Sequence, residues 1–126
     1  MTTTQTFIVW EDTTPKLMAR VVADDDGLVI VQADVTSISK LVTLESTGAV
    51  VVASAALTVS AVVFNALQTD ARWTIDTTGY NFAHTLATTD IPDGDSFYLV
   101  QYLFTGATGG VSMVEFRIQS RENYFS

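Results

Sequence analysis

The chain has 126 residues, of which 48% are hydrophobic and 16% charged. This is the profile of one packed globular domain, and it excludes a charge-rich disordered chain. The absence of cysteine excludes disulfides, thiolate metal sites and a cysteine nucleophile. A net charge of −8 opposes binding to phosphate backbones and anionic lipid, which depends on clustered Lys and Arg. We therefore expect neither nucleic acid nor a membrane as a partner.

The first 14 residues are Thr-rich and carry one apolar patch, Phe7-Ile8-Val9-Trp10. Residues 1–5 lack the basic and apolar regions of a secretory signal peptide, so export by that route is not expected. Residues 1–14 are interpreted either as a first strand or as an arm that docks on a neighbouring molecule.

Alternation of apolar and polar residues, the period of a β-strand, begins after this segment. Residues 16–23 and 28–31 flank Asp24-Asp25-Asp26-Gly27, a hairpin-type turn, and residues 38–45 form a further strand closed by Ser46-Thr47-Gly48.

An almost wholly apolar run, AVVVASAALTVSAVVFNAL, occupies residues 49–67. Its length is close to that of a transmembrane helix. However, it is rich in Val, Ser and Thr, and it lacks a basic cluster or aromatic belt at its ends. We therefore favour two buried strands joined by a Ser/Thr turn.

The C-terminal half continues the strand pattern over residues 71–75, 80–86, 96–105 and 111–119. Residues 96–105 are apolar on both faces, which indicates a central strand covered on both sides. If only one side is covered, Phe97 and Leu103 leave an apolar patch for a partner subunit. Seven to nine short strands predict an all-β fold, an antiparallel β-sandwich over residues 15–120 with a tail at 121–126.

Catalytic motifs are missing from this pattern. His84 is the single histidine, and its position between Phe82 and Leu86 favours a core histidine satisfied by a polar neighbour. The acids lie mostly in predicted turns, and there is no phosphate-binding glycine loop or GxSxG motif. The expectation is a non-enzyme without catalytic residues or cofactor; the alternative, a small hydrolase, needs His84 beside a carboxylate in an open cleft.

Carboxylates cluster at Asp24-Asp25-Asp26 and at Asp90, Asp93 and Asp95. Such oxygens suit calcium, but neither cluster has the spacing of the helix-loop-helix calcium motif. Turn formation is the favoured interpretation, and Asp90, Asp93 and Asp95 are kept as a weak calcium candidate.

Aromatic and aliphatic side chains are the remaining candidates for binding. Trp10, Trp73, Tyr80, Phe97, Tyr98 and Tyr102 stack on sugar rings if they are exposed, although sandwich core is the favoured position for each. The candidate interface residues are Phe7, Trp10, Phe97, Leu103, Tyr124 and Phe125.

Two motifs, LQTDARWT at residues 67–74 and DTTGYNF at 76–82, resemble an immunoglobulin-like domain found in tailed-bacteriophage particles. A Pro92-Asp93-Gly94 loop, the strand with Tyr98 and Tyr102 and the final glycine-turn hairpin extend the resemblance. The run at residues 26–36 is similar to the equivalent part of phage baseplate upper-protein amino-terminal domains.

The resemblance implies that the antiparallel β-sandwich is immunoglobulin-like. It also implies a structural protein of the virion, made in the host cytoplasm, whose partners are other virion proteins and copies of itself in a homo-oligomer. Because the sequence ends just after the predicted sandwich, a neck or tail fitting or a capsid-decorating subunit is favoured over a tail-tip adhesin. The alternative is a carbohydrate-binding module or adhesin, with calcium at Asp90, Asp93 and Asp95.

Overall fold

A computed structural model describes residues 3–23, 27–107 and 109–125, with side chains from Thr6 onward. The turn and acid cluster predicted at Asp24-Asp25-Asp26 lie outside these residues. Within them the strands are β1 Thr3–Trp10, β2 Lys16–Ala19, β3 Val35–Leu44, β4 Val50–Leu57, β5 Val63–Gln68, β6 Tyr80–Thr85, β7 Phe97–Gly106 and β8 Val111–Arg121. A short 3₁₀ helix, Gln32–Asp34, precedes β3, and one turn of helix, α1 Val59–Val62, lies between β4 and β5.

The strands form two sheets packed as a sandwich, which confirms the predicted all-β fold. The five-stranded sheet has the order β1-β8-β7-β3-β4, and the three-stranded sheet has the order β2-β6-β5. From β2 onward this is the B-E-D and G-F-C-C′ arrangement of immunoglobulin sandwiches. All named pairs are antiparallel except β1 and β8, which run parallel from Thr3 opposite Val114 to Trp10 opposite Arg121.

Alternate residues of the long strands fill the space between the sheets. Aromatic rings dominate the centre, where the Phe82 ring lies 4.8 Å from that of Tyr102 and 5.3 Å from that of Phe104. The Tyr102 ring also meets Phe116 edge-on at 5.8 Å. Such edge-to-face pairs are favourable beyond the area they bury. The core therefore uses one face of β7 and β8, and the opposite face of these strands is left for other contacts.

The two strands predicted in residues 49–67 are present, but the prediction that they are buried is wrong. β4 is an edge of the five-stranded sheet and β5 is an edge of the three-stranded sheet. Val51, Val52 and Leu57 pack against the core, whereas Val50 is 61% exposed. Ala and Ser take most of the other β4 positions, and their small side chains expose little apolar area. In the described part of the chain, no helix has the length and apolar character needed to cross a membrane.

The outer side of the three-stranded sheet is covered by residues 69–79, which hold most of the two resemblance motifs. Trp73 packs with Tyr80 and Ala83 there, and Met18 and Phe64 lie against the same small cluster. Asp76 holds this loop in place by accepting hydrogen bonds from Trp73 Nε1 (3.0 Å) and Arg20 Nη1 (2.8 Å). One outer side of the sandwich is thus closed by the chain itself.

Candidate protein-interaction surface

The other outer side, the exposed face of the five-stranded sheet, is here called the outer face. Its residues alternate with the buried ones: Tyr98, Val100 and Tyr102 of β7 point into the core, so their neighbours point away from it. No described strand or helix lies over it, because the three-stranded sheet packs on the opposite side. Its apolar side chains include Ile8, Trp10, Leu41, Phe97, Leu99, Leu103 and Met113.

Strand pairing brings these side chains together in rows across the sheet. Gln119 of β8 lies opposite Phe97 of β7 on one side and Ile8 of β1 on the other. Leu103 lies opposite Met113. Leu103 is 42% exposed and Ile8 is 58% exposed, so water covers apolar area that an additional protein layer would bury.

Glu45, Glu115 and Arg117, three of the charged groups of the outer face, have partners within it. Arg117 places its guanidinium 4.0 Å from the centre of the Phe97 ring. It also donates to both carboxylate oxygens of Glu45, at 2.5 Å and 3.1 Å. This carboxylate raises the pKa of Arg117 further above its ordinary value. Gln101 donates to Glu115 at 2.6 Å. Because these groups are engaged, burying them costs less than burying isolated charges.

The structure places the six predicted interface residues in three different environments. Phe97, Leu103 and Trp10 lie on the outer face. Tyr124 and Phe125 lie in the C-terminal tail and are 88% and 102% exposed. Phe7 points inward and packs on the core, with its ring 5.9 Å from that of Phe116, so it is not available to a partner.

The two tail aromatics border a shallow groove beside Trp10, with a volume of about 310 Å³. The tail is held there because Asn123 N donates to Glu11 Oε1 at 3.0 Å and Asn123 Nδ2 donates to the Glu11 backbone oxygen at 3.4 Å. Trp10 therefore belongs both to the outer face and to the groove, which makes the two apolar surfaces continuous.

His84 is half-buried, and its polar neighbour is the Tyr102 hydroxyl, 2.8 Å from Nδ1. Burial lowers the pKa of His84, and the positive charge of Lys40 lowers it further. Burial also raises the pKa of Tyr102 well above the ordinary tyrosine value. A neutral imidazole bonded to a protonated phenol is a satisfied polar pair at the border of the core.

The calcium candidate joins residues in unlike environments. The two carboxylate oxygens of Asp90 are engaged by Lys40 Nζ and by the Ala87 backbone N–H, each at 2.7 Å, and the side chain is buried. Asp93 and Asp95 are exposed. Within the described residues, no group of three or more His, Cys, Asp or Glu side chains could hold a metal ion.

Several members of the outer face were absent from the predicted interface set, namely Ile8, Leu41, Leu99 and Met113. The period-two alternation of β7 indicated Leu99, since it shares a face with Phe97 and Leu103. No local sequence pattern indicated that β1 pairs with β8 and that β3 pairs with β7. No protein-family model, curated protein or solved structure matches the chain. What this surface can do follows from its own residues.

Proposed function

We propose that the protein is a non-enzymatic structural component of a bacteriophage particle, a neck or tail fitting or a capsid-decorating subunit, that acts through protein-protein assembly. The observation that carries the assembly role is the uncovered outer face, with at least seven apolar side chains on four adjoining strands, β1, β8, β7 and β3. A surface of this kind is typical of subunits that bury it against a neighbour.

The assignment to a phage particle is supported by the resemblance in residues 67–82 and by the immunoglobulin-like strand order. The acidic surface of the protein suits an outer position on the particle, away from packaged DNA. A non-catalytic role is supported by the surroundings of His84, where the nearest side-chain partner is a protonated tyrosine rather than a carboxylate.

The experiment is quantitative mass spectrometry of gradient-purified particles from a culture whose phage encodes this chain. A fixed copy ratio to the major capsid protein, retained through the gradient, is the expected result. Abundant chain in the lysate with none in the particle fraction would overturn the proposal.

Glycan binding is a second candidate, because Trp10, Tyr124 and Phe125 are exposed around one groove. Sugar rings stack on such aromatic faces. Since Asp90 is already engaged by Lys40, this binding should be independent of calcium. A glycan array with the wild type and Trp10→Ala, each with and without chelator, tests it. Signals lost in Trp10→Ala but retained with chelator support this candidate; no signal from the wild type removes it.

A further inference from the structure

We infer that the outer face is the interface of a twofold-symmetric dimer, and that its occupant is the outer face of a second copy of this chain. This inference rests on the proposed assembly function and names the partner. Three properties of the face lead to it: its charge balance, its area and the spacing of its residues about one level of the sheet.

The charge balance selects a second copy over a basic partner. The outer face carries two acidic and two basic side chains, Glu45, Glu115, Arg117 and Arg121. The other described charged residues are nine acidic and four basic: Glu11, Asp12, Asp34, Asp70, Asp76, Asp90, Asp93, Asp95 and Glu122 against Lys16, Arg20, Lys40 and Arg72. Two acidic chains repel each other through most orientations, and the neutral outer face is where they can meet. A basic partner would instead be attracted to the acidic loops.

The area of the face matches what a stable dimer requires. Five strands spaced by about 4.8 Å give a width of about 24 Å, and ten residues of β7 give a length of about 33 Å. The product is about 800 Å², the area that each partner buries in an interface of standard size. Sheet-on-sheet packing of this kind already forms the core of each protomer.

The residues of the face are arranged symmetrically about the level where Val100 of β7 lies opposite Phe116 of β8. Phe97 and Leu103 each lie three residues from Val100. Glu115 and Arg117 each lie one residue from Phe116.

An axis that runs across the strands at this level, midway between the two protomers, stacks each strand antiparallel on its own copy. Phe97 then meets the second copy's Leu103, and Glu115 meets its Arg117, each contact occurring twice. The apolar pair and the ion pair are therefore satisfied by one symmetry operation. The facing sheets lie about 10 Å apart, as in other packed sheets.

Molar mass by light scattering, measured over a range of concentrations, tests whether this face is used. For the wild type we expect a rise from 13.6 kDa to twice that mass. Leu103→Lys should weaken dimerisation at least 100-fold. The matched control is Leu67→Lys, because Leu67 is also an exposed strand leucine but belongs to the three-stranded sheet. It should dimerise as the wild type does.

Charge reversal tests the axis. Glu115→Arg and Arg117→Glu should each weaken the dimer. The double variant should restore part of the loss, because opposite charges then face each other again, although Glu45 loses its partner Arg117. Circular dichroism checks that each variant is folded, since Arg117 also pairs with Glu45.

Three outcomes would overturn the inference: a wild-type monomer at every concentration, a trimer, or Leu103→Lys dimerising as the wild type does. Loss from Leu103→Lys without restoration in the double variant overturns the axis. A wild-type monomer that is nevertheless present at fixed ratio in purified particles separates the two proposals, since the structural role then stands without the dimer.

Discussion

Lys40 and Asp90 form an ion pair inside the sandwich, with Nζ 2.7 Å from Oδ1. The Lys40 side chain is 10% exposed and that of Asp90 is 2% exposed. Lys40 comes from the inner face of β3 and Asp90 from the loop between β6 and β7, so the pair joins the five-stranded sheet to a loop that crosses between the sheets. Removing both charges from water is costly, and the pair is sustained because each charge meets its partner and Asp90 also accepts from Ala87 N.

Removing the cation alone should be strongly destabilising. We expect Lys40→Met to lower the free energy of unfolding by about 3–5 kcal/mol, because the Asp90 carboxylate is left buried without its counter-ion. Urea denaturation measures the change. Lys40→Met combined with Asp90→Asn should recover most of the loss, since Asn still accepts from Ala87 N. A half-exposed lysine gives the control: Lys16→Met should change stability by less than about 0.5 kcal/mol. A small loss in Lys40→Met would mean that water reaches Asp90.

The fold class was predictable because the apolar residues alternate and Gly, Asp and Ser separate the runs. The burial of each strand was not. Residues 49–67 are apolar enough for buried strands, yet they form two edges, because sheet order depends on long-range pairing that leaves no local pattern. Likewise, β7 is apolar on both sides, which predicted cover on both sides, but only its inner side is covered by the described chain.

The candidate site was partly predictable for the same reason. Phe97 and Leu103 share a face by alternation, and that face is exposed. Phe7 and Trp10 are three residues apart, so the alternation places them on opposite sides of a strand. It does not show which of these sides meets the core. The contact of Phe7 with Phe116, which decides it, joins residues 109 positions apart in the chain.

Asn81 should be among the most sensitive buried polar residues. Its Oδ1 accepts from Val21 N at 2.7 Å, and its Nδ2 donates to the backbone oxygens of Val21 and Ile30 at 2.9 Å each. We expect Asn81→Ala to cost about 3 kcal/mol, because buried backbone groups lose their partner. The control is Asn65→Ala, which removes an exposed hydrogen bond to Gln32 N and should cost about 1 kcal/mol or less. Equal losses in urea denaturation would contradict the prediction.

Stability should fall in acid as two carboxylates in the loop at residues 69–79, those of Asp70 and Asp76, become protonated. The Tyr80 hydroxyl and Arg72 lower the pKa of Asp70 to about 2, and the Trp73 indole, Gly79 N–H and Arg20 lower that of Asp76. Both folded-state pKa values lie below the ordinary value of 3.8, so the folded state binds fewer protons than the unfolded state. Their contribution is present above about pH 4 and is lost as the pH falls through about 2.

Fluorescence of Trp73 in a Trp10→Phe background reports this acid transition directly, because the chain has two tryptophans. We expect the Trp73 signal to change between about pH 4 and pH 2. Asp76→Asn should be less stable at pH 7 and should show a weaker dependence of stability on pH over that range. Asp93→Asn, which alters an exposed carboxyl, serves as control and should keep the wild-type dependence. An unchanged slope in Asp76→Asn would contradict the assignment.

Gly79 should not tolerate a side chain, because two effects oppose it. Its φ of +106° is a conformation that L residues rarely adopt, and a Cβ there would lie 2.4 Å from the Gln68 backbone oxygen. We expect Gly79→Ala to lower the free energy of unfolding by at least about 3 kcal/mol. Gly109→Ala separates the effects: Gly109 has φ +90° with no atom within 4 Å of its Cβ position, so about 1–2 kcal/mol of backbone strain should remain. Equal losses would show that the close approach of Gly79 to Gln68 relaxes without cost. A larger loss in Gly79→Ala would show that the close packing of this loop requires the glycine of the DTTGYNF motif.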